Sequence, residues 1–103
     1  MTEELSPVEL EHHGGLVHLL SAPEGSLFWA VGMRHELQIA ADGPALDQDY
    51  VSHCLKLLRR SGAWRLLRNG RGDPFRSFIQ FCTTPRPHGL GLPRGEVQAL
   101  LAA

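Results

Sequence analysis

"SLFWAVGMRHELQIAA", residues 26 to 41, decides the fold class of this chain. Taken whole, the stretch is one helix. Taken in pieces, "SLFWAVG" and "HELQIAA" are two short strands parted by Met33 and Arg34, and "GLVHLL" at 15–20 is a third before them. Aromatic and β-branched content and the alternation Leu37, Ile39, Ala41 speak for strands. Ala41-Asp42-Gly43-Pro44 ends the element in either case. The helix is adopted, which makes the fold mainly α. The alternative is α+β, with a short β-hairpin or three-stranded sheet over residues 15–41.

Outward from this stretch the pattern is helical. Ser6-Pro7-Val8-Glu9 reads as a cap, a proline at the first helical position and a reciprocal glutamate, and Gly14-Gly15 stops that helix near His13. Downstream, Tyr50, Val51, Cys54, Leu55, Leu57 and Leu58 form an apolar stripe at three and four spacing, which predicts a helix over 47–60. Acids open it and Lys56, Arg59 and Arg60 close it, as the helix dipole favours, before Ser61-Gly62 ends it. Residues 63–68 form a short amphipathic turn with Trp64 and Leu67 on one side and Arg65 and Arg68 on the other. Residues 69–74 are all turn formers and make a loop. Phe75, Phe78, Ile79 and Cys82 fall on one helix face ending before Pro85. After a glycine and proline connection over 85–92, Pro93 leads into a last helix burying Val97, Leu100 and Leu101.

A chain of 103 residues, 43% apolar and 20% charged, supports one core and reads as a single domain over 1–103. Its longest apolar run, Leu27 to Val31, is far below the roughly 20 residues that span a bilayer, so no membrane partner is expected. The start Met1-Thr2-Glu3-Glu4 is acidic where a secretory signal is basic, which predicts an intracellular, cytoplasmic protein.

The net charge of −1 hides a division. An acidic half, 1–55, carries nine acids and one base, Arg34; a basic half, 56–103, carries nine bases and two acids, Asp73 and Glu96. All those nine bases except Lys56 are arginine, whose flat, forked donor set suits phosphate oxygens and base edges. Clustered cations of this kind compete with the counterions of a phosphate backbone. A solvated helix face, or acidic and basic halves lying against each other, accounts for the same composition without a ligand.

Residues 77–101 have the order of two short helices joined by a glycine-containing turn, after an arginine-rich helix, which makes the C-terminal half helix-turn-helix-like. The run from Ser61 to Leu101 resembles uncharacterised small proteins of phages, plasmids and mobile elements that share a tryptophan, then Ser-Phe-x-x-Phe, then Pro-x-Gly-Leu-Gly. The matching residues are Trp64, Ser77, Phe78, Phe81, Pro87, Gly89, Leu90 and Gly91. The resemblance implies a helix-turn-helix-like fold and a DNA-related role, and no established activity. The connection over 84–92 is longer than the tight turn of the standard unit, and the last helix offers only Arg94 and Gln98 to bases, so phosphate contacts are expected to dominate.

Six histidines, His12, His13, His18, His35, His53 and His88, show no metal-type spacing, and no cofactor motif is present. Cys54 and Cys82 lie among apolar residues and read as buried, reduced thiols. His53 and Cys54, being adjacent, do not face each other on a helix, so no catalytic pair is assigned. The expectation is a small nucleic-acid-binding protein, DNA before RNA, acting as a regulator from a mobile element. Arg59, Arg60, Arg65, Arg68, Arg71 and Arg76 contact phosphate in that reading, with Arg94 and Gln98 beside them. The alternative is a protein-interaction module, binding a protein partner or a second copy through the acidic half or an apolar patch at Leu27, Phe28 and Trp29. Those three are otherwise expected in the core.

Overall fold

The computed structural model describes residues 21–42 and 48–103. Their order is α1 (Leu27–Ala41), α2 (Gln48–Ser61), a 3-10 turn (Ala63–Leu66), α3 (Phe78–Thr83) and α4 (Arg94–Ala102). There is no named strand among the described residues, and the fold is mainly helical. The sequence readings at Ser6–Glu9 and over 15–20 lie outside the described residues.

Residues 26–41 are a helix because their burial follows a turn-by-turn rhythm. Ser26 is extended, and its hydroxyl oxygen accepts the Trp29 N–H at 3.2 Å, closing the first turn. Trp29, Met33 and Leu37, four residues apart, then form one buried row with Ala30 beside it. The strand alternative placed Leu37 and Ile39 on one face. Leu37 is 1% exposed and Ile39 52%, so that pairing fails. Leu27 and Phe28, expected in the core, stand out at 48% and 58% because the buried row passes behind them; Trp29 is buried as expected.

α2 starts at Gln48 and buries Val51, Cys54, Leu55 and Leu58, the stripe read from the sequence. Gly62, with φ at +74°, donates its N–H to the Arg59 carbonyl and turns the chain back. The amphipathic turn that follows is 3-10 over Ala63–Leu66, shorter than the 63–68 expected, with Trp64 and Leu67 buried. Ser77 begins α3, its hydroxyl oxygen accepting the Gln80 N–H at 3.0 Å. Phe75 therefore precedes the helix on whose face the spacing had placed it, yet it is buried all the same.

The core is one cluster drawn from all of these elements. Its centre is aromatic: Trp64 meets Phe78 with ring centroids 5.9 Å apart, and Phe75 meets Phe81 at 5.3 Å, both edge to face. Polar contacts fix the helices around it. The Tyr50 hydroxyl on α2 donates to Glu36 Oε2 on α1 at 2.6 Å, and the buried Ser52 hydroxyl donates to the Leu100 carbonyl of α4 at 2.6 Å.

α3 and α4 are separated by residues 84–93, longer than the turn of a standard helix-turn-helix unit. This return loop folds under the end of α3. The N–H groups of Leu90, Gly91 and Leu92 donate to the carbonyls of Phe81, Thr84 and Cys82, supplying partners where the helix end has none of its own.

Candidate nucleic-acid interface

The arginines from 59 to 76 are carried by three successive pieces of backbone. Arg59 and Arg60 occupy the last turn of α2, where cations favour the helix dipole. Arg65 sits in the 3-10 turn, its guanidinium 5.2 Å from the Trp64 ring centroid, a cation–π contact that leaves it in water.

Arg68, Arg71 and Arg76 surround one loop. An antiparallel bridge between Arg68 and Pro74 closes its base, and the Asn69 N–H donates to the Asp73 carbonyl at 2.8 Å. Asn69 also braces the loop from inside: its side-chain oxygen accepts the N–H groups of Arg71 at 2.9 Å and Asp73 at 3.0 Å. Gly72, at φ +83°, completes the turn. Arg71 is thus held at the tip and Arg68 and Arg76 at either side. The backbone N–H of Arg76 is itself fixed by Gln80 Oε1 at 2.6 Å.

Arg59, Arg60, Arg65, Arg68, Arg71 and Arg76 are all exposed, and among the described residues none of them forms an ion pair with a carboxylate. Asp73 is the one acid in the chain between Asp49 and Glu96, so this stretch has little to neutralise it. Arg94 and Gln98, one turn apart on the exposed side of α4, stand on a different element from the other six.

The two remaining arginines are engaged across the contact between α1 and the return loop. Arg34, Gln38 and Asp42, spaced by four on α1, dock on the return loop. Arg34 Nη1 donates to the His88 carbonyl at 3.3 Å, and Gln38 Nε2 donates to the carbonyls of Pro87 at 3.1 Å and Gly89 at 2.8 Å. Asp42 receives both terminal nitrogens of Arg86, at 2.5 and 3.0 Å. Lys56 donates to the Ala103 carbonyl. This docking was missed in the sequence, although its signal is present as three polar residues at helical spacing in an apolar helix.

The bidentate bond from Arg86 holds the Asp42 carboxyl below its ordinary range, and Asp42 in turn raises the Arg86 guanidinium. A carboxyl depressed in the folded state stabilises it above the unfolded value of about 3.9, and that contribution is lost as pH falls through the lower folded value. The stability difference between the native chain and an Asp42→Asn variant should therefore be full above about pH 4 and fade on acidification. Urea melts across this range check it; a gap that widens in acid would contradict the pairing.

Burial raises both thiols, Cys82 to about 12, which keeps them protonated near neutral pH. Both are free. Burial also lowers the Arg34 guanidinium from its ordinary value. His53 and His88 are exposed, while His12, His13 and His18 lie outside the described residues. Among the described residues no three of His, Cys, Asp and Glu come together as a metal-binding group. No described helix is long and apolar enough to cross a membrane. Comparison of the chain with protein-family models, with curated proteins and with solved structures gives no match in any of the three.

Proposed function

We propose that this chain binds nucleic acid, DNA before RNA, through phosphate contacts from the arginines of residues 59–76. One observation carries the reading: these six side chains are exposed and unpaired among the described residues, while the only arginine–carboxylate pair there takes Arg86, outside residues 59–76. Structural arginines are ordinarily engaged with carboxylates or carbonyls, as Arg86 and Arg34 are. A run that is left open, on braced backbone, retains its full capacity for an external polyanion. Backbone recognition also suits the poverty of base-reading side chains, since Arg94 and Gln98 are the exposed exceptions. A regulatory role in a mobile element follows from the resemblance of residues 61–101 and forms part of the proposal.

The test is a titration of labelled DNA at increasing salt. Each phosphate contact contributes about 0.9 to the log–log slope on a duplex, so six contacts give a slope near −5. Between about 50 and 200 mM salt the affinity is then expected to fall roughly a thousandfold. Absence of binding at the low-salt end would overturn the reading.

A second reading is favoured by the exposed apolar side chains of α1, Leu27 at 48% and Phe28 at 58% in its first turn and Ile39 at 52% in its last. Exposed apolar surface suits a protein partner or a second copy. A concentration-dependent mass in solution without DNA binding would select it.

A further inference from the structure

We infer that the exposed arginines of residues 59–76 serve duplex DNA in preference to single strands, an inference that rests on the nucleic-acid reading above. Proteins that hold single strands do so by stacking bases on open aromatic faces, worth about 1–3 kcal/mol per base, in addition to binding the backbone. In this molecule the aromatic rings of the basic half are spent internally. Trp64 is 7% exposed and Phe81 0%, and Phe75 and Phe78 are buried with them. The Trp64 ring meets Phe78 edge to face, and the Arg65 guanidinium lies over it. His88, an exposed ring of the same half, lies against the Gly70 backbone, with its Cε1 and Nδ1 3.6 Å from the position a Cβ would take there. Leu66, 45% exposed between the arginines, is apolar but has no π face. The exposed aromatic rings, Phe28 at 58% and Tyr50 at 45%, belong to the acidic half, so the basic half itself offers charge without a stacking platform.

The way the charge is mounted also favours a duplex. Arg59 and Arg60 end a helix, Arg65 is laid against an indole, and Arg71 is set at the tip of a loop locked by Asn69. The backbone under this array is already ordered, so binding costs side-chain freedom and little main-chain freedom. A duplex presents one charge per about 1.7 Å of axis on a stiff frame, whereas a single strand has lower charge density and must itself be ordered. Asn69 and Gln80, amides that would otherwise read bases, have their side-chain oxygens committed to backbone N–H groups. Two of the amides of the basic half are thus withdrawn from base reading, and backbone contacts dominate recognition.

The experiment compares the full chain on a labelled duplex of roughly two helical turns and on a thymidine homopolymer strand of equal nucleotide length, by anisotropy at matched low salt. The expected result is at least tenfold tighter binding of the duplex, unchanged when the duplex sequence is scrambled. Equal or tighter binding of the single strand overturns this inference and leaves the nucleic-acid reading standing. Binding of neither probe overturns both. A Leu66→Trp variant, altering an exposed position, supplies the absent platform and is expected to raise single-strand affinity severalfold while leaving the duplex nearly unchanged. If that variant shifts neither, stacking is not the basis of the preference and the inference fails.

Discussion

Gly89→Ala is expected to destabilise the fold by about 3 kcal/mol or more, with a fall in Tm of roughly 12 °C or more for a chain of this size. The reason is a close approach of two backbones. A Cβ built on Gly89 would lie 2.4 Å from the carbonyl oxygens of both Phe81 and Thr84 and 2.6 Å from the Thr84 Cβ. Two of those three atoms belong to the main chain of α3 and its cap, so no side-chain rotation relieves the clash. Moving the loop away would break the bonds from Leu90, Gly91 and Leu92 that satisfy the end of α3, and would strip Gln38 of its acceptor at Gly89. Gly95→Ala is the control: nothing lies within 4 Å of its added Cβ, and in the first turn of α4 alanine is expected to be neutral or stabilising by up to about 1 kcal/mol. Thermal melts of the two variants side by side check the claim. Similar melting temperatures would mean that the loop does not lie where the fold places it.

Replacing Arg59, Arg60, Arg65, Arg68, Arg71 and Arg76 together by glutamine is expected to abolish DNA binding, by a factor of about a thousand or more at moderate salt. Each side chain removed should also flatten the salt dependence by about 0.9 on a duplex. Stability should change little, because all six are exposed and unpaired among the described residues; only Arg65, over the Trp64 ring, carries a packing contribution of about 0.5–1 kcal/mol. That separation of effects gives the experiment its force. A variant that melts like the native chain and still binds DNA with an unchanged salt slope would remove these arginines from the function. Asp42→Asn, which releases Arg86 in the return loop, is a charge-altering control expected to leave the slope as it is.

The helices of the basic half were legible because each carries its own start and stop. Arg59 and Arg60 with Gly62 end α2, Pro93 opens α4, and the three- and four-residue spacing of the buried side chains decides what lies between. The stretch 26–41 was harder, because a helix apolar on most sides has no polar face against which to read its period. Leu37, Ile39 and Ala41 alternate by chance, and only the burial of Trp29, Met33 and Leu37 in one row distinguishes helix from strand there.

Composition and local spacing by themselves determined the helices after residue 47, the break at Gly62, the loop at 69–74 and the concentration of arginine after residue 56, because each depends on interactions within a few residues. Only tertiary structure decided which cations are spent. Arg86 is drawn to Asp42 across more than forty positions of sequence, and Arg34 is half withdrawn into the docking of α1, while the arginines from 59 to 76 remain open among the described residues. The same applies to Leu27 and Phe28, left in water by the direction in which their helix leans. Charge and hydrophobicity are properties of residues, but their availability depends on what the fold brings opposite them, and no local pattern carries that information.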